Sequence, residues 1–207
     1  MTVTIRRYRD ADLDPAMELL AAAFESDPSF ARMQRLTTTD SQKDALLDLF
    51  RAQISKQYAP AGLIDIAESD VTDGIVGVAL WDPPQGGPSL RHEIASLPDL
   101  ARIFGANLPR KLLRDREGAS YHPRFPHWYL YVLAVSPRAQ GQGVGSTLLN
   151  HGIDRAGDEA IYLEASTPRS AALYQRLGLV PLGEIPAHGP GPCERAMWKP
   201  PVLPGQD

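Results

Sequence analysis

Apolar and polar residues alternate along Val3, Thr4, Ile5, Arg6 and Arg7, which predicts a first strand. Met17, Leu20, Ala21 and Phe24 then recur at helical spacing, with Asp14 as N-cap and Pro15 as first helical residue. The run Glu25-Ser26-Asp27-Pro28 is expected to end that helix. Thr39-Asp40-Ser41-Gln42 resembles a capping box, and Leu46, Leu49, Phe50 and Ile54 form one face of a second helix behind it. Residues 62–67 and 75–81 read as strands paired through the turn at 70–74, and the proline- and glycine-rich stretch 82–88 is a break. Residues 90–117 are helical in pattern, with interruptions expected at Pro98 and Pro109. Residues 128–135 make the strongest strand, stopped by Pro137. Helix (143–156), strand (161–164), helix (168–177) and two strands (179–184 and 194–198) complete the pattern. Thr167 caps the last helix, Pro168 opens it and Gly178 closes it. The order is that of an α/β fold, with a central mixed sheet of about six or seven strands and helices on both faces.

Between the strongest strand and its helix lies Ser136-Pro137-Arg138-Ala139-Gln140-Gly141-Gln142-Gly143-Val144-Gly145-Ser146. Glycines at alternate positions let the backbone approach a ligand without a Cβ in the way. The unpaired N–H groups at the helix start, together with its dipole, favour a phosphate there. A P-loop needs a Lys followed by Ser or Thr after its last glycine, whereas Gly145 is followed by Ser146-Thr147. The dinucleotide fingerprint fits Gly141 and Gly143, and Glu164 stands about 20 residues on, near the place of a ribose-binding acid. Against it, Ser146 replaces the third glycine, five residues separate the strand from the turn, and too little chain follows for a doubly wound sheet.

Gln140-x-x-Gly143-x-Gly145 after Val135-x-Pro137 resembles the acetyl-CoA pyrophosphate loop of the GNAT acetyltransferase superfamily. The downstream segment Leu163-Glu164-Ala165-Ser166-Thr167-Pro168-Arg169-Ser170-Ala171-Ala172-Leu173-Tyr174, ending at Gly178-Leu179, is similar to that superfamily's second cofactor segment. The likeness runs from about His127 to Lys199 and is greatest to the puromycin N-acetyltransferase-like branch. It implies a GNAT fold, with the sheet splayed at the strand before the glycine-rich loop. It also implies acetyl-CoA as acyl donor, held by Leu133, Ala134, Val135, Gln140, Gly141, Gln142, Gly143, Val144, Gly145, Ser146, Thr167, Ser170 and Tyr174. Tyr174 stands at the motif's tyrosine and is the expected general acid. The chain departs from the pattern at Thr167 and Ser170, where many relatives carry asparagines, and at Leu179, where phenylalanine is usual. Near Asp27 it lacks a tyrosine of the puromycin enzyme, which argues against the same antibiotic as substrate.

Composition narrows the rest. A length of 207 residues suits one domain, expected over 1–199, with 86–126 as a helical insertion near the acceptor pocket and 200–207 as a disordered tail. Net charge of −4 argues against nucleic acid as the main partner. The single cysteine, Cys193, excludes an internal disulfide and a cysteine-based zinc site, and no metal is expected. No signal-peptide core or membrane span is legible at the N-terminus or elsewhere, so a cytoplasmic location is the expectation. A basic run at Arg102, Arg110, Lys111, Arg114 and Arg116 reads as a solvated helix face.

Transfer of an acetyl group to an amine needs a proton acceptor, donors for the oxyanion and a proton or dipole for the departing sulfur. Glu164, at the strand end facing the loop, is the best-placed carboxylate for a base, because burial raises a carboxyl toward a useful value; Asp27, Asp82, His122, His127 and a water chain with no dedicated base are the alternatives. Asp27, Trp81, Asp82, His127 and Trp128 are candidates for the acceptor side, and His122, beside a proline, reads as a loop residue. The expected activity is direct attack by a small-molecule primary amine, antibiotic-like or metabolic, in a ternary complex, by a monomer or homodimer. A protein or peptide N-acetyltransferase and a non-catalytic acyl-CoA sensor are the alternatives.

Overall fold

The computed structural model describes residues 1–84, 90–187, 189 and 191–203. Seven strands form one sheet: β1 (Val3–Arg7), β2 (Ile64–Ser69), β3 (Ile75–Asp82), β4 (His127–Val135), β5 (Ala160–Ala165), β6 (Val180–Ile185) and β7 (Glu194–Lys199). Their spatial order is β1-β2-β3-β4-β5-β7-β6, and every neighbouring pair is antiparallel except β4–β5. That one parallel pair requires a crossover, supplied by α7 (Val144–Ala156).

Helices α1 (Leu13–Phe24) and α3 (Gln42–Gln53) cover one face, where Leu20, Phe50, Ile66, Val78, Leu80 and Val132 form the core. The other face carries α7 and α8 (Pro168–Arg176), around Trp81, Leu130, Leu148 and Leu163. Glycine decides how close α7 can come. A Cβ on Gly77 of β3 would lie 2.7 Å from Leu148 Cδ1, and one on Gly152 would enter the Trp81 ring.

The N-terminus of α1 differs from expectation. The helix starts at Leu13, one turn of 3₁₀ helix precedes it, and Asp12 rather than Asp14 anchors the junction. Asp12 accepts from the Arg9 amide at 2.7 Å and from both terminal nitrogens of Arg6 at 2.6 and 2.8 Å, which holds its carboxyl below the usual range. The expected break at Asp27-Pro28 is real but brief. Asp27 caps a further helix, α2 (Pro28–Gln34), by accepting from the Ser29 amide. Ser41 caps α3 by accepting from the Asp44 amide. A π-helical turn, Ile54–Tyr58, and the short α4 (Ala59–Ala61) lead to β2.

In the insertion, α5 (Leu90–Phe104) runs through Pro98 instead of stopping there. The break falls at a 3₁₀ turn, Gly105–Asn107, and Pro109 sits in the first turn of α6 (Leu108–Ala119), where its missing N–H costs nothing. Ile103 and Phe104 bury against Leu36 and Ala52, tying the insertion to α3. Of the expected disordered tail, residues 204–207 lie outside the described residues, while the Val202 amide donates to the Asp158 carbonyl at 2.9 Å. The expected break at 82–88 is described only through residue 84.

Candidate active site

The site is made where β4 leaves β5. Their ladder pairs His127 to Leu130 with Ala160 to Leu163 and then ends. On its other side β4 stays paired to β3 as far as Val135 opposite Gly77. The register shifts at the parting point, since Leu80 faces Val132 but Trp81 faces Leu130, leaving Tyr131 as an extra residue. A bulge of this kind bends its strand and increases its twist. From Tyr131 onward, alternate backbone groups of β4 therefore turn toward a crevice instead of a neighbouring strand.

The crevice is a cavity of about 580 Å³. Its walls are the β4 segment from Leu130 to Val135, the glycine-rich loop, the start of α7, the end of β5 and the inner side of α8. Ser136 is buried, and its amide donates to the Val76 carbonyl, which fixes the exit from β4. Gly141 and Gly143 then take φ of +76° and +87°, a left-handed conformation that disfavours any side chain. Gly143 is the N-cap of α7 and offers no side chain to its amides. The N–H groups of Val144, Gly145 and Ser146 thus remain available to an anion, with the helix dipole behind them. Thr147 is the first residue whose amide finds a helical acceptor, the Gly143 carbonyl.

Most of the residues expected to hold the donor converge on this cavity: Leu133, Ala134, Val135, Gln140, Gly141, Gly143, Val144, Gly145, Ser146, Thr167, Ser170 and Tyr174 line it. Gln142 points away and donates to the Arg138 carbonyl at 2.9 Å, closing the loop. The hydroxyls of Thr167 and Ser170 lie 3.0 Å apart and bond each other's backbone as a reciprocal cap of α8. They brace the helix start at the cavity wall.

Two titratable groups face the cavity from opposite sides of the sheet. Tyr174 belongs to α8 and is buried, and burial together with Asp27 pushes its phenol up to about 12, so it keeps its proton at neutral pH. Glu164 lies on β5 beside Tyr162, on the face opposite Ile161 and Leu163, which join the α7 core. Burial, with a smaller contribution from Glu194, pushes the Glu164 carboxyl up to about 7. The Tyr162 hydroxyl donates to its Oε1 at 3.0 Å and the Tyr129 hydroxyl reaches its Oε2 at 3.5 Å, both opposing that rise. A carboxyl poised near neutrality can exchange a proton at physiological pH.

Around Glu164 spreads an aromatic wall. Tyr129, Tyr131, Tyr162, His122 and His127 are linked by ring contacts of 4.5 to 6.3 Å. Tyr131 stacks on Tyr58 of the π turn and accepts from Gln53 Nε2 at 2.7 Å. Asp82 completes this side. It accepts from the Tyr58 hydroxyl at 3.1 Å and from Gln57 at 3.4 Å, and burial raises its carboxyl against those two bonds. The alternation of tyrosines at 129, 131 and 162 was the available signal, because all three share one sheet face.

Two of the other acceptor-side candidates, the tryptophans, fall elsewhere. Trp81 is fully buried under α7, and Trp128 lies on the same face, its Nε1 donating to Glu159 at 2.6 Å. The Arg155 guanidinium sits 5.3 and 5.2 Å from their two rings. Strand alternation turns both indoles away from the Glu164 face, a correction to their expected role. Asp27 does line the cavity, but one oxygen caps α2 and the other accepts from Ser166 Oγ at 2.5 Å. Its position therefore ties α2 to the end of β5. Among the described residues no group of three or more His, Cys, Asp or Glu side chains is placed to hold a metal ion, and no helix is long and apolar enough to cross a membrane.

The split in the one parallel strand pair, the α7 start with its free amides and the two titratable groups all border one cavity. The chain belongs to the Acetyltransferase (GNAT) family, which matches residues 28–179. A crystal structure described as histone acetyltransferase HPA2 and related acetyltransferase, from Corynebacterium glutamicum ATCC 13032, is 47% identical, covers 99% of both chains and superposes with a TM-score of 0.80. Arylalkylamine N-acetyltransferase 2 from Aedes aegypti shares the fold at 18% identity, covering 96% of this chain and 99% of that one with a TM-score of 0.67. Mycothiol acetyltransferase from Paenarthrobacter aurescens (strain TC1) is 37% identical over 78 residues, 33% of this chain and 24% of that enzyme. The chain thus matches about a quarter or less of the length of its curated relatives.

Proposed function

We propose that the protein transfers an acetyl group from acetyl-CoA to the primary amine of a small molecule, by direct attack in a ternary complex. The observation that carries this reading is the cavity itself, which joins the glycine-rich anion cradle, the free edge of β4, Glu164 and Tyr174 in one space. The chain's groups fit the donor. Amides of Gly143 to Ser146 would receive its diphosphate, and the free edge of β4 from Tyr131 to Val135 would bond its amide-bearing arm. Bound there, acetyl-CoA supplies a thioester carbonyl open to nucleophiles and a sulfur leaving group.

The chain's own residues supply the rest. Glu164, as carboxylate, takes a proton from the incoming ammonium or amine. Outward β4 amides polarise an oxygen lying against the strand edge. Tyr174 holds its proton on the α8 side, where a departing sulfur anion requires one. The tyrosine wall and Asp82 form the acceptor side, suited to an amine with an apolar or aromatic body. The insertion 86–126 contributes His122 to this wall and favours an enclosed small-molecule pocket.

The Leu163-Glu164 strand end and the Pro168-Arg169 step support a place near the puromycin N-acetyltransferase-like branch. The similarity to the Corynebacterium glutamicum protein described as histone acetyltransferase HPA2 and related acetyltransferase favours a second reading, acetylation of a protein or peptide amine. Thiol release from acetyl-CoA, measured over arylalkylamines, polyamines, aminoglycosides, puromycin and lysine-bearing peptides, tests both. Turnover with a small amine and none with peptides supports the primary reading. Turnover confined to peptides supports the second, and thiol release with no member of the panel removes the first.

A further inference from the structure

Glu164 has a third neighbour besides its two tyrosines. His122 Nε2 lies 3.6 Å from the same Oε1 that accepts from Tyr162. This histidine comes from neither β4 nor β5 but from the segment between α6 and β4. Its ring stands edge-on to Tyr129 at 4.5 Å, against Tyr162 at 4.6 Å and beside His127 at 5.8 Å. Its side chain is 25% exposed and that of Glu164 18% exposed, so the ring covers one side of a largely buried carboxyl.

A separation of 3.6 Å is too long for a hydrogen bond. Burial and the nearby His127 push the His122 imidazole down to about 4, which disfavours its charged form at neutral pH. The groups that contact Glu164 or interact with it electrostatically are Tyr162 from its own strand, Tyr129 and Tyr131 from β4, His122, and Glu194 from β7. Glu194 itself is bridged by Arg32 at 3.0 Å. His122 therefore contributes volume rather than charge or a bond.

We propose that His122 is a positioning residue whose ring, delivered by the insertion, excludes water from Glu164 Oε1 and so keeps that carboxyl in its proton-exchanging state. The consequence for catalysis rests on the reading of Glu164 as the proton acceptor, but the effect on the carboxyl does not. Exposure of a buried carboxyl returns it toward the ordinary value near 4.5.

The test is a ¹³C NMR titration of the Glu164 side-chain carboxyl in the full chain without donor or acceptor, the resonance being assigned by its loss in Glu164→Gln. The wild type is expected to titrate near 7. His122→Ala and His122→Asn, which leave room for water, are expected to lower the midpoint by about one unit or more. His122→Phe, which keeps the ring and removes its nitrogens, is expected to stay within about half a unit of wild type. An unchanged midpoint in the folded Ala or Asn protein overturns the proposal, as does a Phe protein that falls as far as they do. Should the midpoints move as expected while the acid limb of turnover stays in place, the reading of Glu164 as base fails and the role of His122 stands.

Discussion

Replacement of Gly143 by alanine separates the two things this glycine does. Its φ of +87° is left-handed, and an alanine held there costs about 1–2 kcal/mol of folding stability. The added methyl meets nothing of the protein within 4 Å, so no packing penalty is added. In the cradle, however, it projects beside the first free amides of α7, where a diphosphate would seat. Loss of one hydrogen bond to a charged group is worth about 1.5–3 kcal/mol, or roughly 10- to 100-fold in affinity. Urea unfolding and calorimetric titration with CoA measure the two effects on one sample. Gly152→Ala is the control: its methyl would enter the buried Trp81 ring, and the overpacking outweighs the better helix propensity, leaving a loss of about 2 kcal/mol with CoA affinity intact. A folded Gly143→Ala protein that binds CoA as tightly as wild type refutes the placement of the diphosphate.

Glu164→Gln is expected to lower kcat by about 10²- to 10⁴-fold and to abolish the acid limb of the pH–rate profile. In wild type that limb rises with pH through about 7, since the ionised carboxyl is the proton acceptor and its fraction grows as pH increases. Tyr174→Phe removes the phenol without changing the buried ring, so thiol release should slow by about 10²-fold. CoA affinity, read by calorimetry, should stay within about threefold. Asp27→Ala removes the α2 cap and should cost about 1–2 kcal/mol in urea unfolding, whereas Asp27→Asn, which keeps a capping oxygen, should cost much less.

The strands, the crossover helix and the glycine-rich loop were legible because each is written locally. Val135-x-Pro137 ends a strand, Gly141 and Gly143 demand positive φ, and Thr167-Pro168 starts a helix. What escaped depends on partners distant in sequence. The bulge at Tyr131 arises from the β3–β4 register, which no local pattern specifies. Asp27 looks like an exposed acid at a helix end, but its second oxygen meets Ser166, 139 residues away. Trp81 and Asp82 are adjacent, yet alternation sends one under α7 and the other to Tyr58. His122 reads as a loop residue beside a proline, and only the folded insertion brings it to Glu164. Pro98 predicts an interruption from its missing N–H alone, whereas α5 continues through it.

Amide hydrogen exchange with and without CoA examines the crevice most directly, since it reads the backbone groups proposed to hold the donor. Slower exchange is expected at peptides covering Tyr131 to Val135 and Gly143 to Ser146, with little change in β1, β2 or the outer edge at β6. Protection absent from the first two segments, in protein saturated with CoA, would contradict the account.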